Sequence, residues 1–559
     1  MNSRIKSNAY LSFLLIALAF SCAQIEAPSG GPEDKTPPEI ISVTPKSGSV
    51  KVPLDTELEI IFSKNMNKSC TSAVFISPLF FDYPKYKWSG KKLKITLPEK
   101  LKPNTTHVLT IGASAQDSRG NKLGQSISTS FSTGETIYTG SIYGKVLASE
   151  LQKLNVWAYK LPSSQPDTFW MKLPDYVTQP DSFGDFRFEY LSYGAYLVVA
   201  VDDKNSDQFW APPGEKMALP DTLVYLSEEQ LEFGPLLMMP VERDTLAPYL
   251  SGVSSPDNQT IVANFSQKMD IVSLLLKENY TIFNIDDSSA NPAVINIFPM
   301  SDELKAAIIK CSAMTPEQKY KIAIDSIRSH FNIIADTLSR FFSAGDIDTA
   351  GPELIAITPN PSLQPQLGGS SIKLQFSETI DTLDFSTIIT FTDTLSNLIE
   401  YLSDWPYPNQ VIFKPAFEEG EKYLMLCDMS RILDMAGNPA GDTIITYTYN
   451  IASKDSLGQI VGQVVNAPGT NIKVAVYPAR SEPVLADTDE NGRFIFPYLF
   501  PGSYIIRTFY DINGNGLFDG GQIRPFEYAE PIGVYADSVQ VRARWETDIG
   551  VLDFAPSTK

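Results

Sequence analysis

Between Leu58 and Asn67 the chain runs LEIIFSKNMN, an alternation of apolar and polar positions that ends in Phe-Ser and a polar turn. The same design recurs as IVANFSQKMD from Ile261 and IKLQFSETID from Ile372. Period-two alternation over five or six residues predicts a strand with one face buried. In each copy it turns Phe62, Phe265 and Phe376 inward and leaves the following Ser or Asp to satisfy turn backbone. A strand-like segment precedes each one: DKTPPEIISVTP from Asp34, DTLAPYLSGVSSP from Asp244 and DTAGPELIAITP from Asp348, all with Pro four residues after Asp. Two copies close with Asp-x-x-Gly-Asn, at 117–121 and 434–438. The middle copy shows DSIRSHF near the corresponding place, as though the turn were lost.

A second pattern interrupts the first. DSFGDFRFEYLSYGAYLVVAVDDKNSD from Asp181 aligns without gaps to DENGRFIFPYLFPGSYIIRTFYDINGN from Asp489. Alternation places Phe186, Phe188 and Tyr190, and likewise Phe494, Phe496 and Tyr498, on one core-facing side. Gly-x-Tyr, at Gly194 and Gly502, then opens the next strand. SDELKAAIIKC from Ser301 is the main departure from strand patterning and is expected to form a helix on the middle copy.

Short alternating strands divided by turn residues predict antiparallel sandwiches. The Phe-Ser segments resemble the bacterial Ig-like domain of S-layer-type and Bacteroidota surface proteins. The Gly-x-Tyr segments resemble the carboxypeptidase-regulatory or transthyretin-like sandwich, which the resemblance implies has no activity of its own. The expected architecture is all-β: tandem antiparallel sandwiches in an elongated rod. Its parts are a signal peptide (1–21), a tether (22–37), Ig-like units (38–136, 243–347 and 348–452) and transthyretin-like units (137–242 and 453–559).

Composition narrows the function. Aromatics make up 11% of the chain and Pro numbers 40, which suits β-rich sandwiches. A net charge of −20 disfavours binding to phosphate backbones, so no nucleic-acid partner is expected. Only His107 and His330 occur, too few for a histidine zinc site or a His-dependent triad. Cys70, Cys311 and Cys427 fall in three different units and are expected to be small buried hydrophobes.

The start of the chain changes the picture most. Arg4 and Lys6 precede an apolar run, Leu11 to Phe20, broken only by Ser12 and too short to span a bilayer. Ala19 and Ser21 then lead to Cys22. This resembles the lipobox of bacterial lipoproteins, with Ala19 where the family usually has Leu, and it implies acylation of Cys22. An ordinary secretory signal with an incidental cysteine is the alternative. The Pro- and Gly-rich stretch that follows, AQIEAPSGGPEDKTPP, predicts a tether spanning at most roughly 50 Å at about 3.3 Å per residue. It resembles the N-termini of Bacteroidota Ig-repeat lipoproteins, which implies a protein lipid-anchored in the outer membrane, facing either the cell surface or the periplasm.

The nearest approach to a chemical site is DINGNGLFDGGQ, 511–522. Asp511, Asn513 and Asn515 stand at positions 1, 3 and 5 of an EF-hand-type loop, Gly516 at its turn, the carbonyl of Leu517 at 7 and Asp519 at 9. Gln522 replaces the bidentate Glu, so Ca²⁺, the one cofactor suggested, would bind weakly. A plain Asn-Gly hairpin fits the same residues. Trp157, Trp170 and Trp210 could stack on sugars or fill a core. With no catalytic motif visible, the expected protein is non-enzymatic and presents sandwiches to an envelope protein or a surface glycan. A structural spacer of an outer-membrane assembly is the alternative, and a glycan-acting enzyme the less favoured one.

Overall fold

A computed structural model describes residues 34–554 apart from 152, 163–167, 244–245, 361–365, 368, 382–384, 479–482 and 536–537. The expected signal peptide, Cys22 and most of the expected tether lie outside the described residues. The architecture is all-β, in tandem sandwiches.

Three units share one strand plan. In the first, Ile40–Thr44, Leu58–Phe62, Lys92–Thr96 and Lys85–Ser89 form one sheet in that order, and Val74–Ser77, Thr106–Ile111 and Ile127–Ser132 form the other. The third unit repeats it with Leu250–Asp257, Thr260–Phe265, Ala306–Cys311 and Val294–Pro299, and the fourth with Leu354–Thr358, Ile372–Phe376, Gln410–Pro415 and Tyr401–Tyr407. The inward positions of Leu58–Phe62 are sealed, and Phe62, Phe265 and Phe376 are buried as the alternation requires. Each following serine pins the edge strand beside it. Ser63 Oγ accepts from Glu39 N at 2.9 Å, Ser266 Oγ from Tyr249 N at 3.1 Å and Ser377 Oγ from Glu353 N at 2.9 Å. The Phe-Ser pair is therefore architectural, one residue filling the core and the other closing a backbone donor.

The closing turn is present in all three units, contrary to its expected loss from the middle one. Asp117 Oδ1 accepts from Arg119 N and Asn121 N, and Asp434 Oδ1 from Ala436 N and Asn438 N. In the middle copy Ser329 Oγ does the same for Phe331 N and Ile333 N. Asn332 takes the positive φ (59°) that Gly120 and Gly437 take in the others. Asn tolerates that region, and a hydroxyl can replace a carboxylate as acceptor, so the turn survives without its sequence signature.

The helix expected over 301–311 is not formed. Ala306–Cys311 is a strand paired with Thr260–Asn264, and Leu304 has a left-handed φ of 53° that ends any helical run. Among the described residues the one α-helix is Ile271–Leu275, capped by Asp270.

The second and fifth units share another plan. Gly140–Val146 lies between Asp185–Leu191 and Glu232–Met238, antiparallel to the first and parallel to the second. Gly458–Val465 is held the same way between Arg493–Leu499 and Glu546–Asp553. The opposing sheets are built on Leu154–Leu161 with Gly194–Asp202, and on Ile472–Pro478 with Gly502–Tyr510. Phe186, Phe188, Phe494 and Phe496 are buried as expected, but the third aromatic is not. Tyr190 and Tyr498 both have φ of 62°, the ladder slips at each, and Leu191 and Leu499 take the core position. A bulge adds one residue and resets the alternation.

Sequence order is not spatial order, so the chain is not a simple rod. Ile523 and Ala529 of the fifth unit are buried in one apolar cluster with Trp157, Phe169 and Trp210 of the second. Ala529 N donates to Pro220 O at 3.0 Å, and Arg524 stacks 4.8 Å from the Trp170 ring. The first and second units are also fastened. Gln179 Oε1 accepts from Ser114 N at 3.1 Å and from Ser114 Oγ at 2.7 Å, an approach open only because residue 112 is Gly. A Cβ on Gly112 would lie 2.3 Å from that oxygen.

Candidate functional site

The segment singled out as a calcium loop opens the connection from Gly502–Tyr510 to Ile532–Val534, and Phe518, Ile523, Phe526 and Ala529 of that connection pack against the second unit. Asp511 is buried. Its Oδ1 accepts from Gly514 N and Asn515 N, and its Oδ2 from Gly516 N. Asn513 and Asn515 turn their amides to Asp519 Oδ2. Leu517 is exposed, and its N–H donates to Asn515 Oδ1. The five residues are thus brought together, with side-chain oxygens engaged by N–H donors.

One organiser of this loop escaped sequence reasoning. Glu530 is buried, with Oε1 accepting from Ile512 N at 2.7 Å and Oε2 from Asp519 N at 2.9 Å. Glu215 braces the second unit alike, accepting from Lys204 N at 3.0 Å and Ala211 N at 2.9 Å. The two glutamates follow Asp511 and Asp203 at different distances along the chain, which hides the correspondence from a gapless alignment.

In the second unit the equivalent loop faces outward. Asp203 is buried, and its Oδ2 takes Gln208 N at 3.2 Å and Asn155 Nδ2 at 3.3 Å, while its Oδ1 has no partner. Burial pushes its carboxyl up to about 6. Ser206 and Gln208 are both held at positive φ, 60° and 66°. Left-handed backbone at residues other than Gly persists only where the surroundings over-determine it. Here Asp203 and Glu215 supply that constraint.

This braced loop forms one wall of a groove of about 340 Å³ between the first and second units. Phe80, Phe81, Tyr83 and Tyr86 line the opposite wall, with Leu173 and Phe209 closing it. Phe81 is 85% exposed, Tyr83 66% and Phe209 36%. Asp82, Ser206 and Gln208 add polar groups at the rim. The tryptophans proposed for stacking lie elsewhere in function: Trp157 and Trp210 are buried, and Trp170 packs edge-on against Trp210. They are core and interface.

The histidines lie in separate units. His107 is buried against Phe131, and burial lowers its pKa; His330 is in the third unit, where burial also lowers it. Cys70, Cys311 and Cys427 are free and buried. Among the described residues no helix is long and apolar enough to cross a membrane.

Residues 34–133 match the bacterial Ig-like domain family. That match covers the first unit, and the third and fourth repeat its strand plan. No curated protein matches the chain. Similar solved structures include the N-terminal part of the bacterial S-layer protein SbsC, at 10% identity, 37% of this chain, 45% of that one and a TM-score of 0.17. This chain therefore spans less than half of that structure. Immunoglobulin domains 1–4 of Sidekick-1 align at 9% identity over 67% of this chain and 92% of that one, with a TM-score of 0.20. An L,D-transpeptidase from Mycobacterium smegmatis aligns at 14% identity over 37% of this chain and 91% of that one, with a TM-score of 0.14. Likeness this distant carries no statement about activity.

Proposed function

We propose that this is a non-enzymatic envelope protein, held at the outer membrane through acylated Cys22, whose body binds glycan in the groove between its first and second units. The observation that carries this reading is the set of exposed rings, Phe81, Tyr83 and Phe209, around a recess with polar groups at its rim. Exposed aromatic faces are costly in water unless covered. A pyranose ring offers C–H groups to such faces and hydroxyls to Asp82, Ser206 and Gln208. The groove wall is braced in advance, so little ordering entropy is lost on binding.

Affinity electrophoresis through gels containing soluble xylan, mannan, dextran or β-glucan tests it. Retardation in one polymer, lost in both Phe81→Ala and Tyr83→Ala proteins that keep the wild-type melting temperature, is the expected result. Unretarded migration in all of them, or retardation indifferent to both changes, refutes a glycan site here. Protease shaving of intact cells, beside a Cys22→Ala strain, tests the anchor and the face of the membrane.

The docking of the fifth unit on the second favours a second reading, a stiff spacer in an envelope assembly with no soluble ligand. That protein would ignore every polysaccharide yet copurify with an envelope partner. The 511–519 loop is proposed to take Ca²⁺ only weakly, because a cation there must displace the amides that now hold Asp511 and Asp519.

A further inference from the structure

At one corner of the first and the fourth Phe-Ser units, the residue after the Phe-Ser pair meets the first residue of the closing turn and the aspartate that opens the unit. In the first unit these are Lys64, Asp117 and Asp34. Lys64 Nζ lies 2.9 and 2.8 Å from the two Asp34 oxygens, 2.7 Å from Thr36 Oγ1, 2.6 Å from Thr36 O and 3.6 Å from Asp117 Oδ2. The corner is an oxygen cage around a cation. In the third unit Gln267 replaces the lysine and donates to Leu246 O, Ser329 replaces the turn aspartate, and the opening Asp244 lies outside the described residues. In the fourth unit both aspartates return as Asp348 and Asp434, but Glu378 stands at the lysine position. One carboxylate oxygen from each of the three lies within 4.8 Å of the others.

We propose that the Asp348–Glu378–Asp434 corner binds a hard divalent cation, Ca²⁺, which takes the place of the Lys64 ammonium in the first unit. Two observations made in different units converge on it. One is the convergence of three carboxylates; the other is a sister corner in which the same two aspartate positions already hold a positive charge. Where the cation is absent at the lysine position and the charge is not replaced, as in the third unit, the turn aspartate is absent too. Lys310 and Asp257 of the third unit also act on Glu378, but Lys310 Nζ donates to Thr260 Oγ1 at 2.6 Å and pairs with none of the three. Asp434 is buried, while Asp348 and Glu378 are partly exposed, which leaves room for the waters that complete a calcium shell.

Titrating CaCl₂ into the full mature chain carrying Cys22→Ala, by calorimetry and by thermal unfolding, tests this. Saturable binding in the range of about 10⁻⁴ to 10⁻³ M, with a rise in melting temperature, is expected. Glu378→Lys, which rebuilds the first unit's corner, loses both responses and melts without calcium no lower than wild type. The reciprocal Lys64→Glu gains one further binding event. Asp519→Ala keeps the response and so separates this corner from the 511–519 loop. A wild-type protein indifferent to calcium, or a Glu378→Lys protein that responds in full, overturns the proposal.

Discussion

The fold-back of the fifth unit onto the second depends on Arg243, and replacing it by Met is the most direct test of the interface. Arg243 is 7% exposed and sits just past the second unit. Its Nε donates to Met217 O at 3.1 Å, and its two terminal nitrogens reach Gly520 O and Gly521 O, nearly 280 residues further along. A hydrogen bond from a charged donor contributes about 1.5–3 kcal/mol net, and two of the three cross the interface. Met keeps the apolar stem and removes every donor, so docking should weaken by about 3–6 kcal/mol, or roughly 10² to 10⁴-fold in the docking equilibrium. The apolar contacts of Ile523, Ala529 and Phe526 remain, and complete burial of a side chain the size of Ile or Phe contributes about 1.5–3 kcal/mol. The single change therefore populates an undocked form, and Arg243→Met with Phe526→Ala should abolish docking. Small-angle scattering measures it: the radius of gyration rises in the single variant and further in the double, while circular dichroism stays that of intact sandwiches. Scattering unchanged in the double variant, or a wild-type protein that already scatters as five units end to end, refutes the argument.

Three other outcomes follow from the same geometry. Gly112→Ala places a methyl group 2.3 Å from Gln179 Oε1, so it should loosen the first unit from the second and cost about 1–3 kcal/mol, visible as a lower urea midpoint with unchanged circular dichroism. Asp203 titrates near 6 when folded against 3.8 as a free side chain, so the folded state holds the extra proton and stability falls as pH rises between those values. Asp203→Asn keeps an acceptor for Gln208 N and removes the buried charge. Its stability should exceed wild type at pH 8 by at most about 3 kcal/mol, read as a higher urea midpoint, and converge with it near pH 4; equal midpoints at both pH values count against the argument. Burial raises Cys70 and Cys311 to about 11 and Cys427 to about 12, so in a Cys22→Ala protein iodoacetamide at pH 8 should label none of them until urea unfolds the chain.

The strands that make up each sandwich were legible because their information is local. Leu58, Ile60 and Phe62 alternate with Glu59 and Ile61, and the sheet buries that face. The same reasoning failed where the backbone departs from strand period without glycine to mark it. Tyr190 and Tyr498 break the alternation through a positive φ that the alternation itself cannot show. The short apolar run Ala306 to Ile309 fits helix and strand equally, and its neighbour Thr260–Phe265 decided the matter. The turn at Ser329 kept its hydrogen bonds and changed every diagnostic residue. At the candidate sites, sequence placed Asp511 and Asp519 correctly in one loop but gave no sign of Glu530. A brace from outside a motif has no fixed spacing. The aromatic groove was illegible for a related reason, since its two walls come from different units and neither is periodic.

The repeats also show how one scaffold acquires different surfaces. In the second and fifth units the loop after the Gly-x-Tyr strand starts from a buried aspartate and is braced by a buried glutamate, Asp203 with Glu215 and Asp511 with Glu530. The brace satisfies backbone donors at the loop's two ends, so the loop keeps its shape while most residues between them serve surfaces outside their own sandwich. In the second unit they carry Ser206, Gln208 and Phe209 to the rim of a groove. In the fifth the stretch between Asp519 and Glu530 adds the short pair Gln522–Ile523 and Phe526–Glu527, whose apolar side chains join the cluster of Trp157, Trp170 and Phe169. The docked loop and the groove wall are therefore homologous positions put to different uses, and the two surfaces adjoin at Phe75 and Leu79 of the first unit, which line the groove and belong to the docked cluster. That arrangement ties the two ends of the described chain together while leaving the aromatic rings of Phe81 and Tyr83 uncovered. Docking stiffens the chain, as a spacer requires, and leaves Phe81 and Tyr83 open to solvent, as a binding groove requires, so retardation by a polysaccharide is what separates the two readings.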